Sequence, residues 1–171
     1  MALRIELLDG QHRRDGFDCG DAALNDFLRR QAGQQQRRGF GKTYVALAEN
    51  GVEVIGFVTV SVGQVATQTL PSHLKLPRYP APMFRIGRLG VDSREQGKGV
   101  GQNLLAFALH LALEFSTRVG LYAAVVDAKD DEAAAFYRRL GFDPTLDNPL
   151  CLFLPLAKLA KVGAVRTATN R

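Results

Sequence analysis

Cysteine is scarce in this sequence. Cys19 and Cys151 are the only two, too few and too far apart for a zinc quartet, and with His12, His73 and His110 as the only histidines no metal-ligand spacing emerges. Free thiols and no bound metal are therefore expected. No apolar run approaches the roughly 20 residues that a membrane-spanning helix needs. The stretch from Met1 to Asp9 lacks the apolar core and small-residue cleavage site of a signal peptide, so a cytoplasmic location with no membrane partner is the expectation. Acidic side chains are missing from two basic stretches. None lies between residues 29 and 42, which hold Arg29, Arg30, Arg37, Arg38 and Lys42, and none follows Pro155, where Lys158, Lys161, Arg166 and Arg171 occur. The first run suits a solvated helix face and an RNA-binding face equally. The second reads as a basic, flexible tail over residues 157–171. Internal repeats and low-complexity tracts are absent as well.

What is present describes an ordinary soluble globule. A chain of 171 residues, 46% hydrophobic and 23% charged, suits one domain, taken here as residues 1–156. A net charge of +5 favours an acidic partner without choosing among an acidic cofactor, an RNA and an acidic peptide.

Leu3 to Leu7 alternates apolar and polar residues as a half-buried strand does. Leu24, Phe27 and Leu28 then fall at helical spacing, with Asp18 or Asp21 available to cap a short amphipathic helix. Thr43–Ala48 and Val54–Val62 flank Asn50-Gly51 and predict an antiparallel hairpin. Leu70 to Met83, with Pro71, Pro77, Pro80 and Pro82, reads as a long ordered loop, since proline breaks helices and central strands alike. Phe84–Val91 is predicted as a strand, and Leu104, Leu105, Ala108, Leu111, Ala112 and Phe115 mark the apolar face of a helix. Gly120–Val126 is a further strand, so the strand-helix-strand unit must be parallel and right-handed. A helix from Asp130 to Leu140, stopped by Gly141, and a last strand from Leu150 to Leu154 complete an α/β (mixed α+β) chain.

The rest of the chain is organised around Arg88 to Leu105, where a strand runs into Gln96-Gly97-Lys98-Gly99-Val100-Gly101 and then into a helix. Glycine lets the backbone approach a ligand, and amides opening a helix have no intrahelical acceptor, so the loop suits an anion. Two nucleotide loops fail on register. A P-loop needs Ser or Thr after its lysine, where Lys98 is followed by Gly99, and a dinucleotide loop would put its third glycine one place beyond Gly101. An ordinary strand-to-helix turn would use glycine here too.

The spacing Gln96-x-x-Gly99-x-Gly101 resembles the diphosphate loop of the GNAT (GCN5-related) N-acetyltransferases, and Ala133-Ala134-Ala135-Phe136-Tyr137-Arg138-Arg139-Leu140-Gly141-Phe142 resembles their second motif. Alone, Tyr137 reads as a core aromatic beside Phe136 and Leu140. More widely, Phe17-Asp18-Cys19-Gly20 with Leu24 to Leu28, Arg78-Tyr79-Pro80-Ala81-Pro82, Ala128-Lys129-Asp130 and Pro149 to Leu156 resemble the branch of that family formed by toxins of toxin–antitoxin pairs that acetylate aminoacyl-tRNA. Gly90 departs from the alanine frequent there. The resemblance implies a GNAT fold: a central mixed sheet of six to seven strands flanked by helices, with a splayed parallel strand pair holding acetyl-CoA as cosubstrate. It implies that Leu89, Gly90 and Val91 hold the acetyl group and pantetheine arm, that Gln96, Gly97, Lys98, Gly99, Val100 and Gly101 hold the diphosphate, that Asn103 and Phe136 join the cofactor site, and that Tyr137 is the acid at the sulfur. It further implies aminoacyl-tRNA as substrate, met by Arg29, Arg30, Arg37, Arg38, Lys42, Arg78 and Arg85, and a ribbon-helix-helix antitoxin as partner, with homodimerisation left open.

Acetyl transfer to an amine needs a neutral amine, oxyanion stabilisation and a proton for the thiolate. The stretch from Phe84 to Val91 carries no Asp or Glu to act as a base. A lysine amine, with a pKa near ~10.4, wants such a base, whereas an α-amine at about 7.7–8.0 is already partly neutral. The absence favours an α-amine. A GNAT enzyme acting on a protein N-terminus or small amine, and a non-catalytic acetyl-CoA-binding module, are the competing readings.

Overall fold

The computed structural model describes residues 3–162; the end of the expected tail, 163–171, lies outside the described residues. Seven strands form one mixed sheet in the order β1-β2-β3-β4-β5-β7-β6. They are β1 (Arg4–Leu7), β2 (Lys42–Leu47), β3 (Val54–Val65), β4 (Ala81–Val91), β5 (Ala123–Asp127), β6 (Asp143–Pro144) and β7 (Cys151–Pro155). The helices are α1 (Ala22–Asp26), α2 (Ala32–Arg37), α3 (Val100–Ser116), α4 (Asp131–Arg139) and α5 (Leu156–Val162). β4 and β5 pair in parallel, Met83–Ile86 opposite Ala123–Val126, as the strand-helix-strand reading requires, while β5, β7 and β6 pair antiparallel. Two compact units divide the chain: Met1–Ser61 with Gly87–Ala108, and Val62–Ile86 with Leu109–Arg171.

In the first unit β1 and β2 pair antiparallel, as do β2 and β3, and Phe17, Phe27, Leu28, Val45 and Phe57 form the buried centre. The ring of Phe17 meets that of Phe57 edge-on at 5.7 Å, adding to the roughly 1.5–3 kcal/mol that burial of each such side chain contributes. Asp21, not Asp18, caps α1, accepting from the Leu24 amide at 3.1 Å. The helix is longer than predicted. A π turn over Phe27–Gln31, closed by the Ala32 amide on the Phe27 carbonyl, joins α1 to α2. The extra residue resets the helical phase, keeping Ala32 buried together with Leu28.

The second unit is centred on Leu70, Met83, Val125 and Phe153. Three expectations are corrected here. β4 begins at Ala81, so Pro82 lies in a strand; its exposed ring needs no donor, while its carbonyl accepts from Tyr122 at 2.8 Å. The short strand β6 was not foreseen, and Phe115, predicted on the apolar face of α3, is 47% exposed beside Phe84. Beyond Pro155 the chain is not a frayed tail through Val162 but α5: Leu156 is buried and donates its amide to Tyr122 at 3.0 Å. Among the described residues no helix is long and apolar enough to cross a membrane, and no cluster of His, Cys, Asp or Glu suits a metal ion.

Candidate active site

The glycine loop lies in the first unit, and its backbone is committed to an unusual path. Gly97 and Gly99 have φ of +83° and +85°, values that cost an L side chain about 1–2 kcal/mol. The Asn103 amide is the first in α3 to reach an intrahelical carbonyl, that of Gly99 at 3.0 Å, so the amides of Val100, Gly101 and Gln102 have no acceptor within the helix. Nothing lies within 4 Å of a side chain placed on Gly97. Bare amides, the positive end of a 17-residue helix and open space above glycine fit a diphosphate group.

Polar side chains of the loop also make contacts within the protein. The Gln96 side chain donates to the Val91 carbonyl at 2.9 Å and to that of Cys19 at 3.3 Å, and Asn103 donates to the Gly99 carbonyl at 2.8 Å. Lys98 lies 3.5 Å from Glu95. These side-chain contacts engage carbonyl oxygens and a carboxylate, not the amides that open α3. Gly90 is buried, and a methyl group on it would come 3.0 Å from the Phe57 ring and 3.5 Å from Cys19 Sγ, so neighbouring side chains fill the space that alanine would take. Gly56 plays the matching role on β3, since a methyl there would come 2.9 Å from Leu104 and 3.0 Å from Val100. That bare backbone lets the first turn of α3 settle on the sheet.

Sequence reasoning missed the hub below the loop. Asp92 is 1% exposed and receives two hydrogen bonds of 2.9 Å from the Arg94 guanidinium, one from the Arg94 amide and one from the Asp18 amide at 3.2 Å. The Arg94 side chain, followed by the backbone donors, lowers the Asp92 carboxyl pKa to about 2. The Ser93 amide donates back to the Asp18 carbonyl, and the Asp18 carboxylate accepts from Gly20 and Asn25, both at 2.9 Å. The Phe17-Asp18-Cys19-Gly20 pattern thus braces the root of the glycine loop.

Tyr137 and Phe136 lie in the second unit, on α4. Asp130 caps that helix through the Ala133 amide at 2.8 Å, and Asp131 and Glu132 in its first turn and Arg138 and Arg139 in its last complement the helix dipole. Gly141, at φ +104°, turns the chain so that the Phe142 ring lies 5.7 Å from the Tyr137 ring, while Phe136 meets it at 5.2 Å. Tyr137 is 7% exposed, and burial, then the charge of Asp127, pushes its pKa up to about 12. Among the described residues no hydrogen bond engages its hydroxyl, which stays protonated at that pKa.

The expected nucleic-acid cations separate into groups. Arg29, Arg30 and Arg37 line a cavity of about 260 Å³ with Gly33, Gln34 and Arg14, the last overlooked in the sequence. Arg14 donates to the Leu28 carbonyl at 3.0 Å and Arg29 to that of Phe17, which fixes both guanidinium groups. Arg30 is paired with Asp26 at 3.3 Å. Arg38 lies over the Phe40 ring at 5.3 Å, and Lys42 is exposed at the start of β2. In the second unit Arg78 lines a different cavity, whereas Arg85 is ion-paired with Asp127.

Comparison with known proteins gives this arrangement a context. Residues 6–142 match the family described as Acetyltransferase (GNAT). A tRNA-acetylating toxin of Mycobacterium tuberculosis (strain ATCC 25618 / H37Rv) is 34% identical over 140 residues, 81% of this chain and 82% of that protein. A structure of AtaT complexed with acetyl-methionyl-tRNAfMet superposes with a TM-score of 0.88 at 30% identity, covering 94% of this chain and 99% of that one. A tyrosine-to-phenylalanine mutant of the AtaT toxin, bound to the C-terminus of the antitoxin AtaR and acetyl-CoA, gives 0.82 at 29% identity, covering 94% and 97%.

Proposed function

Because the chain belongs to the acetyltransferase (GNAT) family, we propose that it moves the acetyl group of acetyl-CoA onto the α-amine of an amino acid esterified to tRNA, and acts in this way as a toxin that blocks translation. The observation that carries the reading is similarity along almost the whole chain to tRNA-acetylating relatives. Charged tRNA is a cytoplasmic substrate, and an antitoxin of the ribbon-helix-helix type is the proposed protein partner, in keeping with the AtaR complex of AtaT.

In this reading acetyl-CoA supplies an acyl group already activated as a thioester. The backbone from Gln96 to Gly101 holds the diphosphate through its amides, and the Leu89 to Val91 backbone orients the acyl arm. The substrate nitrogen attacks the acetyl carbonyl, the N–C bond forms and the C–S bond breaks. Tyr137 donates its hydroxyl proton to the departing thiolate, and the proton shed by the amine passes to solvent, from which the tyrosine is restored. A pKa pushed up to about 12 keeps that hydroxyl protonated through the physiological range.

The biological part is tested by inducing the gene in growing cells while following incorporation of a labelled amino acid. Arrest of incorporation that Tyr137→Phe relieves is the expected result; equal growth with and without induction of the wild-type gene contradicts it.

A further inference from the structure

Acetyl transfer needs a neutral amine, yet neither β3 nor β4 carries an Asp or Glu that could take its proton. What β4 does carry is a cation. Arg88 immediately precedes Leu89 to Val91, the backbone that orients the acyl arm in the proposed reaction, and its exposed guanidinium lies over the Phe27 ring, 4.0 Å from the centroid. That ring is buried and stacks on Phe57 at 6.2 Å, so the cation rests on a platform fixed by the core. Alternation along the strand puts Arg88 on the same face as Gly90, whose neighbours are Phe57 and Cys19, and puts Leu89 and Val91 on the other. The parallel ladder of β4 ends at Ile86, which leaves one edge of the strand from Gly87 onward outside it.

The charge on Arg88 is not cancelled locally. It belongs to no ion pair among the described residues. On the segment that carries Phe27, Asp26 pairs with Arg30, Asp21 caps α1, and Asp18 accepts from Gly20 and Asn25. After β4, Asp92 is matched by Arg94 and Glu95 by Lys98. The Cys19 thiol beside Gly90 is buried, and Arg29, which donates to the Phe17 carbonyl, adds charge of the same sign. β3 contributes no ionisable side chain. In the second unit Asp127 is matched by Arg85, and the Tyr137 phenol stays protonated.

We propose that Arg88 does by repulsion what a general base would do by abstraction: its fixed positive charge disfavours the ammonium form of the acceptor amine, which releases its proton to water and attacks as the neutral nucleophile. The proposal rests on the acetyl-transfer reading and deepens it. In solution at pH 7 an α-amine is only about one-tenth to one-sixth neutral. A unit charge about 6 Å away lowers its pKa by about 0.5–2 units, depending on how far water is excluded. A fall of about one unit makes half or more of the amine neutral. A lysine amine, near ~10.4, stays charged after the same shift, so the device also selects α-amines.

The test compares Arg88→Gln and Arg88→Lys with wild type on charged tRNA across a range of pH. The single-turnover rate at saturation reports the amine in the complex, whereas kcat/KM reports the free amine. Arg88→Gln should move the acid limb of the single-turnover rate upward by about 0.5–2 pH units and leave that of kcat/KM in place. Arg88→Lys keeps the charge and its seat on Phe27, so both limbs should stay where they are in wild type. A second readout needs no turnover. Without acetyl-CoA, the affinity of wild type for charged relative to uncharged tRNA should fall as pH drops from about 8 through the lowered pKa of the bound amine, by about tenfold for each unit of that lowering. In Arg88→Gln this dependence should vanish. Limbs and affinities that keep their wild-type pH dependence in Arg88→Gln overturn the proposal; a rise confined to the KM for charged tRNA, with a shallower salt dependence, makes Arg88 a phosphate contact instead. If wild type leaves charged tRNA untouched and acetylates another amine, the tRNA reading falls and the same series on that amine decides the proposal. Transfer to no amine overturns both.

Discussion

Arg85 on β4 is ion-paired with Asp127 at the end of β5, the strand parallel to it. The pair lies beside bare backbone, since a side chain on Gly63 would come 3.5 Å from Arg85 Nε. After burial, which is the larger cause for both, its anion also raises the pKa of Tyr137 and that of Cys151. A guanidinium already matched by a carboxylate adds little net attraction for RNA, so Arg85, expected from the sequence to meet tRNA, is set apart from Arg37, which has no such partner among the described residues.

Salt dependence of tRNA binding separates the two. A lost phosphate contact lowers the slope of log K against log salt by about 0.7–0.9. Arg37→Gln should lower it by about that amount and Arg85→Gln should leave it unchanged. Equal changes for both would show that the Asp127 pair is no shield.

Acid stability reports on the hub beneath the glycine loop. The Asp92 carboxyl is depressed from the ordinary 3.8 to about 2, so its contribution is complete above pH 4 and is lost as pH falls from there through about 2. The loss is on the order of 2 kcal/mol. Urea unfolding at pH 5 and at pH 2.5 should show that difference shrink in Asp92→Asn, which should also be less stable than wild type at pH 7 by about 1–3 kcal/mol. An unchanged difference would mean that Asp92 carries no such charge in the fold.

Much of this was legible in the sequence, for identifiable reasons. Strand alternation, the helix starting near Asp130, the Gly141 stop and the glycine loop are local signals whose cause lies within a few residues. The Asp92 hub was hidden because Asp18, its backbone donor, is 74 residues away. The π turn was hidden because one extra residue cannot be told from an early helix end when only Leu24, Phe27 and Leu28 mark the period. α5 read as a tail because Lys158 and Lys161 dominate its composition, whereas burial of Leu156 is a tertiary fact. The division of the cations depended on which had a carboxylate nearby, and no spacing rule supplies that.

The seating of α3 is testable at Gly56. A methyl group there would come 3.3 Å from the Gly90 carbonyl as well as close to Leu104 and Val100, so Gly56→Ala should cost about 1–3 kcal/mol and weaken acetyl-CoA binding by displacing the helix's first turn. Gly10→Ala, with nothing within 4 Å, is the control. Calorimetric melting and acetyl-CoA titration read both effects, and full affinity in Gly56→Ala would detach the loop's geometry from this contact.

For Tyr137, removing only the hydroxyl keeps the ring against Phe136 and Phe142. Tyr137→Phe should fold normally and bind acetyl-CoA, while transfer falls by about 10²–10⁴. With the phenol pKa at about 12, wild-type kcat should show no alkaline decline from this group below roughly pH 11. A variant that keeps wild-type turnover, with chemistry rate-limiting, would remove Tyr137 from the acid's role.

The most direct measurement mixes the purified protein and labelled acetyl-CoA with total charged tRNA, strips the ester with mild base, and follows the label. The account predicts release of the label as an N-acetyl amino acid, whose identity names the tRNA attacked. Label on protein N-termini or small amines with charged tRNA untouched would contradict it in favour of another acetyltransferase, and label transferred to no amine at all would leave only a cofactor-binding protein.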